Sequence, residues 1–188
     1  DLTCATLLVV KERKKYVTQM YFIPSDRLQE KIKEDGVRYD LWEERGLVRI
    51  CEGAKVNYSD VTAWFVEMRE KHKIFPLWIG YDRWNANYWV DEMKANGFNM
   101  EDVIQGAITM SNPMKEMNAD LIQKNLNYNN HPILKWCFTN MSVKTDENEN
   151  IRPVKGREKK KRIDGVVSLI DAYVVYMRHI DDYTNMQS

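Results

Sequence analysis

The 188-residue chain contains no run of eighteen or more apolar residues, and its start at Asp1 lacks the basic-then-apolar pattern of a secretory signal. A membrane-spanning helix is therefore not expected, and the sequence reads as soluble and intracellular. Net charge is absent too: 28 Lys and Arg balance 28 Asp and Glu. Any case for a nucleic-acid partner must then rest on local patches rather than on the field of the whole chain. Cysteine is scarce and badly spaced for a framework. Cys4, Cys51 and Cys137 are odd in number and form no CxxC pair, which argues against disulfides and zinc and for buried free thiols in a reducing cytoplasm. No glycine-rich GxxxxGK[ST] loop occurs, so the chain has no ATPase site of its own. His72, His131 and His179 lack ligand spacing and read as ordinary surface or core residues. Internal repeats and low-complexity segments are missing as well.

With 44% hydrophobic residues, the chain can bury one sizeable core and is too short for two ordinary domains, so a single domain over 1–188 is expected. Cys4 to Val10 is a short apolar, β-branched run, and Tyr16 to Ile23, stopped by Pro24, is a second. Together they predict an antiparallel hairpin. A short surface helix follows over Ser25 to Glu34, ended by Gly36, and Tyr39 to Gly53 carries mixed signals of a helical turn and a short strand. Val61, Trp64, Phe65 and Met68 lie at helical spacing behind capping side chains at Asn57 to Asp60, which predicts a helix to about His72. Ile74 to Tyr81 reads as a strand, and Asn85 to Asn96 as a helix closed by Gly97. A further helix is expected to begin at Asn112-Pro113 and to turn Met114, Met117, Leu121, Ile122 and Leu126 inward. Residues 142–144 and 150–152 suggest a loose extended pair, and Ile163 to Ile180 a final helix. Most of the six tryptophans and ten methionines fall at inward positions and read as core.

Two carboxylates stand out. Asp82 lies where an apolar strand leaves the sheet, the place where α/β sheets put their ligands, although an Asp there serves equally well as a helix cap. Asp164 opens the last helix, where the helix dipole alone would favour it. It follows a loop holding six cations in eight residues: Lys155, Arg157, Lys159, Lys160, Lys161 and Arg162. Such a loop attracts phosphates without reading sequence, and carboxylates beside it need metal ions to tolerate the approaching charge. Asp171 lies seven residues after Asp164, two helical turns or roughly 10 Å along the axis. Sharing one metal is not expected at that distance; a structural role or a place behind the metal ligands is.

The ordered set Tyr81-Asp82-Arg83-Trp84-Asn85-Ala86, Gln105-Gly106, Ser111-Asn112-Pro113-Met114-Lys115, Asn130-His131-Pro132-Ile133-Leu134, Trp136, Asn140 and Lys161-Arg162-Ile163-Asp164-Gly165-Val166-Val167 resembles the nuclease half of the large terminase subunit of tailed double-stranded DNA phages. The resemblance spans nearly the whole chain. It implies an α/β fold like ribonuclease H, a mixed sheet flanked by helices, with two Mg2+ or Mn2+ ions held by acidic residues. It also implies cleavage of concatemeric double-stranded viral DNA in the cytoplasm of a bacterial host. The implied partners are that DNA, an upstream ATPase domain of the same protein, a small terminase subunit and a portal; no membrane is implied. By the same resemblance Asp82 matches the second acidic ligand and Asp164 the last. The first is open. Asp1-Leu2-Thr3 resembles the Asp-Leu-Thr that follows the family's leading Gly-x-Asp-Leu-Ser, which would put the leading strand and its ligand upstream. If Asp1 is instead the leading aspartate, it completes the set. Two other classes stay open: a catalytically silent module that binds DNA or docks on a portal, and a related metal-dependent enzyme such as a junction resolvase.

Overall fold

The computed structural model describes residues 2–84, 86–156 and 161–187. The chain opens with β1 (Thr3–Lys11) and β2 (Lys14–Pro24), an antiparallel hairpin in register from Thr3 opposite Phe22 to Lys11 opposite Lys14. It is the hairpin that the two apolar runs predict, extended at its ends. Tyr21, Phe22 and Ile23 are consecutive and all fully buried. Consecutive strand residues face opposite sides, so both faces of β2 are covered. A 3-10 turn (Ser25–Arg27) leads into α1 (Leu28–Asp35), closed by Gly36 in the left-handed region at φ 66°. The mixed stretch after it resolves into α2 (Tyr39–Glu44) and β3 (Val48–Cys51), the latter parallel to β2.

α3 (Tyr58–His72) begins at Asn57, whose Oδ1 accepts a hydrogen bond from the Ser59 amide at 3.1 Å. The apolar run from Ile74 forms less strand than its composition suggests. Among the described residues only β4 (Ile79–Tyr81) pairs, with β5 (Met100–Asp102), and Pro76, which brings no amide hydrogen to a ladder, lies in the unpaired part. Between them lies α4 (Asn87–Ala95). The next helix, α5 (Ala107–Ile122), corrects the expected start at Asn112-Pro113. It begins after Gly106, and Pro113 lies inside it rather than in its first turn. The extra leading turn puts Met110 in the core beside Met114 and Met117, burial that outweighs the hydrogen bond Pro113 withholds. The far end is shorter than expected: Ile122 is exposed, and Leu126 belongs to β6 (Leu126–Asn127), parallel to the start of β2.

α6 (Pro132–Asn140) runs directly into the antiparallel pair β7 (Met141–Thr145) and β8 (Ile151–Lys155). The final helical region is two helices, α7 (Asp164–Arg178) and α8 (Ile180–Gln187). β1, β2, β3 and β6 form one sheet, and β4 with β5 a second. Apolar side chains gather on both sides. One cluster joins Tyr21, Ile23 and Val48 to α5, α6 and α7, and the other joins Ala5, Leu7, Phe22 and Ile79 to α3 and Met93 of α4. Among the described residues no helix is long and apolar enough to cross a membrane.

α7 is the central element. Val166, Leu169, Ile170, Tyr173, Val174 and Val175 are buried along it. Glycine permits its closest approaches. A Cβ on Gly165 would lie 2.0 Å from the Tyr21 hydroxyl, and one on Gly80 would lie 2.9 Å from the Asp171 carbonyl. Gly165→Ala is expected to destabilise the fold by at least ~1–3 kcal/mol, the cost of forcing matter into a packed interior. Urea unfolding reads this out, and an unchanged midpoint would refute the contact.

A buried ion pair ties β2 to the same helix. Lys15 Nζ meets Asp120 of α5, the Tyr173 hydroxyl donates to that carboxylate at 2.8 Å, and the ammonium lies 5.3 Å from the Tyr173 ring centre. Removing Asp120 leaves the buried Lys15 ammonium with the half-exposed Glu116 carboxylate at 3.6 Å in place of a buried partner. Asp120→Ala should therefore cost ~3–5 kcal/mol in denaturant unfolding, and the double change Lys15→Met with Asp120→Leu much less.

Candidate active site

β4 and β5 place the first carboxylate. Their parallel pairing is extended by a 2.8 Å bond from the Val103 amide to the Tyr81 carbonyl, so Asp82 lies just beyond the end of the sheet. It is exposed. Its Oδ1 accepts from the Trp84 amide at 3.2 Å, a local Asx turn. The capping alternative does not hold, because Ala86 caps α4. Around Asp82 the surface is aromatic: Trp84 is 76% and Tyr88 94% exposed, so Trp84 departs from the expected inward pattern.

Asp164 is the first residue of α7, and its Oδ2 is enclosed without a hydrogen-bond partner. Burial raises this carboxyl above its ordinary value, while its own backbone amide, Lys155 and Arg162 pull the other way. A polar network fixes the helix turn that carries it. Gln19 Nε2 donates to the Gly165 carbonyl at 2.8 Å and to Thr6 Oγ1 at 2.9 Å, and Tyr21 donates to Gln19 Oε1 at 2.6 Å. Thr6 and Ser168 hydroxyls lie 2.7 Å apart, and Ser168 donates to the Cys4 carbonyl at 3.2 Å. Asn140 Nδ2, buried, holds the Arg162 carbonyl at 2.9 Å just before the helix.

The remaining sequence candidates divide. Asp171 is buried and accepts from Gln105 Nε2 at 2.9 Å. Burial lifts it to about 7, the Gln105 bond lowers it, and the charge of Asp82 raises it. Asp82 thus lies within electrostatic reach of Asp171, two turns along α7 from Asp164. Lys155 and Lys161 are exposed. Arg162, expected among the phosphate-facing cations, instead turns inward: it is 8% exposed and its Nε lies 3.1 Å from both carboxylate oxygens of Asp35. Asp1, Arg157, Lys159 and Lys160 lie outside the described residues. Among the described residues no three His, Cys, Asp or Glu side chains come together in a way that could hold a metal ion.

Residues 1–179 match the family described as terminase large subunit, endonuclease domain. The chain belongs to this family. It is similar to protein YmfN of Escherichia coli strain K12, 28% identical over 83% of this chain and 35% of that protein. It is equally similar to the large terminase subunit of Enterobacteria phage HK97, 28% identical over 81% of this chain and 30% of the relative. The crystal structure of the HK97 bacteriophage large terminase superposes with a TM-score of 0.83 at 25% identity, covering 93% of this chain and 36% of that one. The fold is thus the ribonuclease H-like α/β arrangement that the resemblance implies. This chain spans about a third of the length of the relatives it matches.

Sequence reasoning assigned no role to Gln19, Thr6, Ser168 or Gln105. Gln19 carried one readable signal, a long polar side chain directly before the apolar run Met20 to Ile23. Asp171 gives a pH test. An unfolded Asp ionises near 4, so folded-state stability falls as pH rises from there through about 7. Asp171→Asn keeps an acceptor for Gln105 without that cost. It is expected to stabilise the protein by roughly 1–3 kcal/mol at about pH 8 and to change little at about pH 4. Equal effects at both pH values in urea titrations would show that ionisation is not the cause.

Proposed function

We propose that this chain is the cutting portion of a metal-dependent endodeoxyribonuclease that severs concatemeric double-stranded DNA during genome packaging in the bacterial cytoplasm. One observation carries the reading: in a chain of this family, Asp164 holds an enclosed, partnerless carboxylate oxygen at the start of α7, beside the cations Lys155 and Arg162. A buried carboxylate oxygen without a donor is an expensive feature unless a cation completes it. Hard oxygen donors suit Mg2+ or Mn2+, so Asp164 and Asp82 fit as ligands, with Asp1 or an acidic residue from elsewhere in the protein as the third. Bound there, the ions would lower the pKa of a water and stabilise the departing 3′ oxygen. Asp171, through Gln105, steadies the segment after β5 next to Asp82. Exposed Lys155 and Lys161, with Arg157, Lys159 and Lys160, would neutralise backbone phosphates, giving weak sequence preference. The wider partners belong to the same proposal: an ATPase domain of the same polypeptide, a small terminase subunit and a portal.

The lack of a three-carboxylate cluster among the described residues favours one second reading, a silent DNA-binding or portal-docking module. Plasmid nicking separates them. In a longer polypeptide of the same protein, Asp82→Asn and Asp164→Asn should each abolish Mn2+-dependent nicking, and Asp164→Asn should do so without lowering the unfolding midpoint, since it removes a buried charge. Retained cleavage in either variant overturns the metal-ligand assignment. Salt-dependent DNA binding with no metal-dependent cleavage in the unaltered protein supports the silent module. Lys155→Ala should lower the salt dependence of DNA binding by about one phosphate contact.

A further inference from the structure

β4 and β5 are parallel, and short links, residues 82–86 and 103–106, lead from them into α4 and α5. Both helices therefore begin at the same end of that sheet, the end that carries Asp82. The three most exposed large apolar side chains among the described residues belong to this end: Tyr88 at 94%, Ile108 at 87% and Trp84 at 76%. Trp84 is two residues past Asp82, Tyr88 is in the first turn of α4, and Ile108 is in the first turn of α5. Ile104, also exposed, follows Val103, whose amide bonds the Tyr81 carbonyl, and so comes next to the Asp82 segment across the ladder. Single exposed apolar side chains are ordinary. Four at the sheet end that holds a candidate ligand mark a contact surface.

The core makes no use of these side chains. α4 buries Val90 and Met93 and sets Trp89 edge-on to Tyr81 at 6.3 Å, while α5 buries Met110, Met114 and Met117. Of the six tryptophans, Trp84 alone is exposed. Its amide bonds Asp82 Oδ1 at 3.2 Å, which ties the ring's backbone to the carboxylate. Arg83, between them, is exposed, with its guanidinium 3.9 Å from Asp102, a surface pair that holds it weakly. The occupant follows from Asp82. A protein seated on this patch would cover the carboxylate and close the site, whereas a DNA strand whose phosphate reaches Asp82 lays its sugars and bases against the neighbouring rings and its charge beside Arg83.

We propose that Trp84 and Tyr88 are DNA-contacting residues that press on base faces unstacked beside the scissile phosphate, so that the site favours DNA that opens easily there. The inference rests on the nuclease reading and names how that site meets its substrate. Flat rings offer little to a phosphate, but they stack on base faces whatever the sequence. In an intact duplex those faces are covered, and apolar side chains reach them by wedging a step apart. The wedge costs least at pyrimidine–purine steps and at mismatches. Lys155 and Lys161 would neutralise phosphates alike along any duplex, so the rings add a preference for deformable steps and not for a base sequence.

DNA binding in EDTA, where metal-dependent cutting is stopped, tests this on the full-length protein. The probes are a fully paired duplex and the same duplex with a short central mismatch bubble. The unaltered protein should hold the bubble roughly tenfold more tightly. Trp84→Ala and Tyr88→Ala should each lower that preference and together remove it, and Trp84→Phe should keep it. None should shift the unfolding midpoint or the salt dependence of binding, which Lys155→Ala does shift. A 2-aminopurine in the bubble should be quenched by the unaltered protein and not by Trp84→Ala. Equal binding of the two DNAs by the unaltered protein, a preference that survives the double change, or an equal loss on both DNAs overturns the proposal. Cleavage is read separately: nicking that survives Asp82→Asn would end the metal-ligand assignment, whereas a missing bubble preference in a protein that still cuts would end only this inference.

Discussion

The structure depends on how closely α7 lies against strands from two sheets. Both contacts are glycine contacts. Gly165 sits beneath the Tyr21 hydroxyl of β2, and Gly80 of β4 rests against the α7 backbone at Asp171. No other residue type lacks the Cβ that would push these elements apart. Because one helix is held by both sheets, the position of Asp82 at the end of one strand and of Asp164 at the start of that helix are not independent. A shift of α7 relative to either sheet would move the two carboxylates relative to each other.

Polar groups then set the helix in rotation and height, which apolar packing alone leaves loosely determined. Tyr21, Gln19, Thr6 and Ser168 form a chain of short hydrogen bonds ending on the Gly165 carbonyl and the β1 backbone. At the other side of the helix, Lys15, Asp120 and Tyr173 clamp it to β2 and α5. A fully satisfied buried network is rigid, and a site built on its edge inherits that rigidity.

Much of this was legible in the sequence, and the reasons differ by element. The β1–β2 hairpin, α3 and the start of α7 follow from periodicity and stop residues, since their apolar faces are regular and uninterrupted. The strand at Ile74 to Tyr81 and the helix at Asn112 differ from expectation at their boundaries for opposite reasons, apolar content outweighing the breaker at Pro76 and Pro113 being given its commonest position in a first helical turn. Pro76 lies in the unpaired part of the apolar run, and Pro113 was taken inside α5 because Met110 gained burial one turn earlier. Asp82 and Asp164 were visible as candidates through their neighbours in sequence. The inward turn of Arg162 was not, because its partner Asp35 lies 127 positions away and nothing local marks the pair.

That turn bears on the electrostatics of the site. Asp164 opens α7, so the N-terminal end of that helix and the cations close by are what offset the burial of its carboxylate. Arg162 is pinned by Asp35, and its charge is shared between that carboxylate and Asp164. It therefore offsets only part of the burial of Asp164, whose carboxyl stays raised and whose Oδ2 stays without a donor. With Arg162 engaged by Asp35, burial still outweighs the neighbouring cations at Asp164, and in the proposed reading a divalent ion would complete that carboxylate.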